Sequence, residues 1–297
     1  MISEYPVIFH SQGVPLAGRI LRRGGLAERQ PGIVVMGSWL TVKEQMATVY
    51  ARQMAERGYT ALTFDFAGFG ESAGEPRQTE IPSRKIADIG AAVDFLRSLS
   101  FVAGDRLALL AICASAQYSL AAIANGLPVR SFASVAGWYH DPASVAPFYG
   151  GEDGVQRRLS RAREAFEAWT RTRQIVTAPA YEDGNDRAGM HFRLDYYGRV
   201  DRGAVPEWKN EMAEMTWFYW LTFDGLAAAD RVTTPSIFVH SDGCAFPDHV
   251  RQVHARVQGP KELVWLSGSQ IDFYDQPEQV NASVEAVSRW FDRTVNA

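Results

Sequence analysis

"LALLAICASAQYSL", residues 107–120, carries the strongest structural signal in the chain. The apolar run 107–112 reads as a short strand buried on both faces, and it passes without a polar linker into a helical pattern that stops at Gly126. Cys113 stands at the junction, with Ala111, Ala114 and Ser115 around it. Small residues on both sides of a reactive side chain are what a sharp strand-to-helix turn demands, because larger Cβ substituents would collide there. Placing Ser115 at the apex instead would put Gln117 in a slot that needs a small residue. The reading therefore favours Cys113. A thiol at a helix N-terminus also feels the helix dipole, which favours the thiolate.

Toward the N-terminus, "YPVIFHSQGVPLAGRILRR" (5–23) predicts a hairpin turning at Gln12-Gly13. "PGIVVMG" (31–37) predicts a buried strand, 41–58 a helix ending at Gly58, 59–66 another strand, and 81–99 a further helix. After the junction, 129–138 predicts a strand. The core pattern resumes at 235–241 and continues with a helix over 248–257, a strand over 261–268 and a final helix over 277–293. Strands alternating with helices imply a mostly parallel sheet covered on both faces. The expected organisation is an α/β core, residues 1–141 and 231–297. Residues 142–230, with a basic amphipathic helix and the aromatic run "TWFYWL", are expected to form a helical cap.

Four stretches together resemble the α/β-hydrolase superfamily, in particular its dienelactone-hydrolase-like branch, which often writes Gly-Ile-Cys at the turn before the helix. The first is Ala111-Ile112-Cys113. "VMGSWLTVKEQ" is similar to the family's oxyanion loop, "DFAGFGESAGEPRQ" to its Asp-x-x-Gly-x-Gly-x-Ser turn, and "GSQIDFYDQPEQV" to its C-terminal histidine motif. The resemblance covers nearly the whole chain. It implies a nucleophile at Cys113 and an oxyanion hole made by backbone N–H groups of Ala114 and of Ser38 or Trp39. Asp65, Gly68 and Gly70 are expected to shape a turn rather than to react.

The resemblance also implies an acid after the strand "SIFVHS" and a histidine after "ELVWLSG". Cys244 falls in the first slot, with Asp242 two residues away, and Gln270 falls in the second. A glutamine amide accepts no proton near neutral pH, so it hydrogen-bonds but cannot serve as general base. His140, at the end of the strand "SFASVAGWY", is the first candidate for a replacement base, and His240 is the second. His10, His191, His249 and His254 are expected at the surface.

Bulk properties exclude several functions. The 46% hydrophobic and 22% charged content is that of a globular protein, and the formal charge of −4, spread without blocks, argues against nucleic acid or anionic membrane as partner. Neither a secretory signal nor an apolar stretch long enough for a membrane span is evident, and two cysteines cannot make a disulfide scaffold. A cytoplasmic location is expected. No metal-ligand spacing, dinucleotide fingerprint or phosphate loop occurs, so no cofactor is expected. The aromatic residues point to an aromatic or polyketide-like small molecule, with Trp138, Tyr139, Trp217 and Trp220 as candidate contacts. Some rings of "TWFYWL" are expected to reach the cleft or a second copy in a homodimer.

Three activities remain open. One is hydrolysis of an ester, lactone or similar electrophile. Another is a non-hydrolytic cyclisation, rearrangement or bond-forming reaction that uses the oxyanion hole. The third is ligand binding without catalysis.

Overall fold

In the computed structural model, which describes residues 1–296, the chain begins with the expected hairpin. Strands β1 (Ile2–Ser11) and β2 (Val14–Arg23) pair antiparallel around Gln12 and Gly13, both at positive φ. Then follow β3 (Gln30–Met36), α1 (Met46–Glu56), β4 (Thr60–Phe64), α2 (Pro82–Ser98), β5 (Val102–Ile112), α3 (Ser115–Ala124) and β6 (Ser131–Val135). An insertion comes next, with α4 (Pro142–Val145), α5 (Gly151–Thr172), a ribbon of β7 (Thr177–Ala178) and β8 (Met212–Ala213), α6 (Asp195–Gly198) and α7 (Thr216–Thr222). The core then closes with β9 (Ser236–His240), α8 (Pro247–Arg256), β10 (Lys261–Trp265), α9 (Asp272–Asp275) and α10 (Pro277–Thr294). Eight of the strands form one sheet in the order β1-β2-β4-β3-β5-β6-β9-β10. From β4 to β10 every neighbouring pair is parallel.

Parallel strands need long crossovers, and here helices supply them and bury both sheet faces. Strands β3 through β6 and β9 are accordingly buried almost throughout. Register then aligns their carboxyl ends: Met36 pairs with Ala111, Ile112 with Val135, and Val135 with Val239. The loops that follow these residues therefore emerge side by side, at the edge where open α/β sheets build their sites.

The insertion is less helical than its composition suggested. Between α5 and α7 the chain is mostly loop, held by side chains such as Trp208, whose indole N–H donates to the Leu40 carbonyl at 2.7 Å. Arg158 of α5 lies buried between the rings of Tyr149 and Trp217 and donates to the backbone carbonyls of Tyr149, Gly154 and Asp186.

Candidate active site

Cys113 follows β5 directly, with φ at +59°. A non-glycine residue in this left-handed region is strained by roughly 1–3 kcal/mol, and the surroundings must hold it there. Three main-chain bonds do so: its N–H donates to Val135 O, and its own carbonyl accepts from Ala116 N and Trp138 N. Ser115 is removed from contention, since its hydroxyl is buried and directed at the carbonyls of Met36 and Ile112.

Above Cys113 lies a cavity of about 130 Å³. Its floor comes from the sheet edge: Ser38, Trp39, Cys113, Trp138, Gln270 and Tyr274. Its roof comes from the insertion, with Phe148, Tyr149, Phe192, Tyr197 and Trp220 prominent. An apolar protein cavity of about 150 Å³ accepts one benzene, so this space suits a single ring or a short acyl group. Trp39 stacks on Trp220 with centroids 4.3 Å apart, and the Trp220 indole N–H donates to Tyr149 Oη at 3.1 Å.

The electrostatics of the thiol differ from the sequence expectation. Burial raises the Cys113 pKa above its ordinary value, outweighing groups that favour the thiolate. Those groups are the hydroxyls of Ser38 and Tyr274 and the backbone N–H groups of Ala114 and Trp39. Ala114, Trp39 and Ser38, the residues expected at an oxyanion hole, are thus all among the groups that favour the thiolate. The loop that carries Trp39 is braced from behind. Lys43 N–H donates to Asp65 Oδ1 at 2.8 Å, and Lys43 Nζ meets Asp65 Oδ2 at 2.7 Å. Gly70, at φ +46°, could not carry a Cβ, because Asp65 Oδ2 would lie 2.3 Å from it.

Gln270 lines the cavity, but its amide is occupied. Oε1 accepts from Ala245 N at 3.0 Å, and Nε2 donates to Ala136 O at 2.7 Å and to Tyr274 Oη at 3.3 Å. It is a strut joining three loops, and the group it steadies, Tyr274, lines the cavity together with Cys113. Tyr274 was not singled out from sequence. The available signal was spacing, since a residue four positions after Gln270 on a helical turn shares its face.

Several expected site residues lie elsewhere. His140 is fully buried outside the cavity lining and cannot act as replacement base. The Trp138 indole only donates, so His140 Nδ1 accepts from it (2.7 Å) and the ring proton sits on Nε2, donated to Trp220 O (2.8 Å). Burial lowers its pKa to about 4. Cys244 is buried beside Ser241 Oγ and does not line the cavity, and desolvation pushes its pKa up to about 12, so it stays a neutral thiol. Asp242 faces solvent and pairs with Arg251 at 2.6 Å. His240 is buried near the Trp265 ring.

Among the aromatic candidates, Trp138 and Trp220 line the cavity. Tyr139 does not: it is buried in the core with its hydroxyl on Ser134 Oγ. Trp217 packs behind the wall against Tyr149. Of the histidines expected at the surface, His10 is exposed, while His191, His249 and His254 are half-buried. Among the described residues, no cluster of metal-ligating side chains occurs and no helix is long and apolar enough to cross a membrane.

No family model matches the chain. YcjY of Escherichia coli is 34% identical over 267 residues, spanning 86% of this chain and 85% of that protein. The crystal structure of the α/β hydrolase GrgF from Penicillium sp. superposes with a TM-score of 0.85 at 21% identity, covering 99% of this chain and 100% of that one. This chain belongs to the same family as YcjY, and its fold is that of the α/β hydrolases. Other relatives carry named activities. The polyketide transferase grgF is 25% identical over 252 residues, covering 82% of this chain and 81% of that protein. The thiohydrolase aneE of Aspergillus aculeatus is 31% identical over 208 residues, covering 69% and 60%.

Proposed function

We propose that this protein is an acyltransferase in which Cys113 takes an aromatic or polyketide-like acyl group from a thioester and passes it to an acceptor carrying its own nucleophile. One observation supports this above the rest: among the described residues that line the cavity, none is a carboxylate or an imidazole. Thioester exchange needs no net base. The sulfur of Cys113 attacks the carbonyl carbon, and the π electrons move onto oxygen, facing the N–H groups of Ala114 and Trp39. Collapse then expels the original thiol, which leaves with the proton that Cys113 carried. Each oxyanion donor is worth about 3 kcal/mol in the transition state. In the second half, an amine of the acceptor, or a carbon acidic enough to ionise unaided, attacks the Cys113 thioester, and the departing sulfur takes up the proton that the acceptor loses.

Water is the poor acceptor here, because attack by water requires its deprotonation and the cavity offers only hydroxyls and amides. The dienelactone-like Ala-Ile-Cys turn is consistent with sulfur as nucleophile. A second reading, thioester hydrolysis, is supported by the name of the aneE relative.

Intact-protein mass spectrometry after mixing with a benzoyl or short β-keto acyl thioester separates the readings. The expected result is one acyl group per chain, absent in Cys113→Ala, persisting in buffer for many minutes and discharged by an added thiol or amine. Rapid loss of the adduct in buffer would favour hydrolysis. Binding without any adduct would leave a ligand-binding protein.

A further inference from the structure

The insertion places one polar group in the cavity that the protein itself does not use. Tyr197, on α6, is buried and lines the same cavity as Cys113, yet its hydroxyl has no hydrogen-bond partner among the described residues. The rings of Tyr181, Tyr196, Trp208 and Tyr274 pack around it, and the nearby hydroxyls of Ser38 and Tyr274 form no hydrogen bond with it. The other hydroxyls near the sulfur are engaged, Ser38 Oγ with Tyr274 Oη at 3.4 Å and Tyr274 Oη also with Gln270. Buried hydroxyls without a partner are costly to keep, and in an active-site cavity they mark where a ligand atom belongs.

We infer that Tyr197 is a catalytic residue, a third hydrogen-bond donor that reaches down from the insertion to the substrate's carbonyl oxygen. The inference rests on Cys113 as the attacked position, and it adds a donor that the sheet edge does not contain. Burial and the nearby Cys113 hold the phenol well above its usual pKa range, so it remains a donor across the working pH. As the carbonyl carbon becomes tetrahedral, the growing negative charge on oxygen meets two amides from the core and one phenol from the insertion. The phenol keeps its proton, so the balance of the transfer is unchanged. The consequence for specificity is direct: only an acyl group small enough to fit beneath the roof brings its oxygen against Tyr197.

The test is Tyr197→Phe, which removes one atom that has no protein partner. The melting temperature is expected to stay the same or rise, while the rate of acylation of Cys113 by a benzoyl thioester falls roughly 100-fold, the usual effect of losing one oxyanion donor. A second measurement needs no reaction. Tryptophan fluorescence titration with acetophenone and with ethylbenzene is expected to show the variant losing roughly 2- to 10-fold in affinity for the ketone and none for the hydrocarbon. Unchanged acylation with unchanged ketone affinity would overturn the inference, and so would a fall in melting temperature alongside activity, which marks a structural hydroxyl. If the wild-type protein forms no adduct, the acyltransferase reading fails, and the ketone-to-hydrocarbon comparison still decides the role of Tyr197.

Discussion

Gln270 occupies the position where a base was expected, and its surroundings explain why a carboxylate could not simply replace it. Its amide accepts from Ala245 N and donates to Ala136 O, and only a group with both an acceptor and a donor meets both demands. Gln270→Glu keeps the size and the acceptor but sets a carboxylate oxygen against the Ala136 carbonyl. Half-buried as it is, the pair is expected to lower stability by about 1–3 kcal/mol at pH 7. Thermal unfolding at pH 7 and pH 4.5 checks this. The loss should shrink at the lower pH, where the introduced carboxyl is protonated and donates again, and a variant as stable as the parent at pH 7 would remove the strut role. Residue chemistry alone identified Cys113, because the small neighbours and the strand-to-helix junction are local. It could not reveal that burial outweighs the helix end in setting the thiol's pKa, since desolvation depends on residues far away in sequence.

Short elements hold the insertion down over the cavity. Arg202, just after α6, donates to Asp275 at the end of α9 through Nε (2.7 Å) and Nη2, and to Ile271 O (3.1 Å). Gln45 Nε2 donates to Gly203 O at 2.6 Å, and Tyr50 Oη to Phe273 O at 2.7 Å. One clamp therefore fixes the segment with Tyr197 to the turn with Tyr274. Arg202→Met keeps much of the apolar stem and removes the fork. It is expected to cost about 1–2 kcal/mol, because the ion pair is mostly shielded but not fully buried. Hydrogen exchange should quicken in 194–208 and 270–276 while the sheet stays protected. Uniform quickening across the sheet would show that the pair supports the whole fold instead. Periodicity located the long helices well, as with 277–293 expected against Pro277–Thr294 observed. It missed α6 and α9, whose four residues are too few to carry a period.

At the scale of the whole molecule, two buried imidazoles make stability depend on pH. His140 and His240 each have a pKa lowered to about 4 by desolvation, against about 6.5 in an unfolded chain. Between those values the unfolded chain takes up protons that the folded one refuses. Stability is therefore full above about pH 6.5, falls as pH drops, and levels off below about pH 4, by roughly 3 kcal/mol for each ring. Against a total of about 5–15 kcal/mol, two such losses are large. Guanidinium midpoints measured from pH 7.5 to pH 4 should decline across this window, and His140→Gln should flatten the slope by about half. A level profile would mean that the rings are already charged or wet in the native state.

The sequence by itself determined the α/β architecture, the sheet-edge position of Cys113 and the loop bearing Trp39, because these follow from local period, small residues at a tight turn and chain order. Only the tertiary structure decided what surrounds the sulfur. It turned His140 and Asp242 away, buried Cys244, tied Gln270 into the backbone and brought Tyr197 and Tyr274 to the cavity. The reason is geometric. Those placements depend on side-chain direction and on contacts between segments far apart in the chain, and no local pattern encodes either.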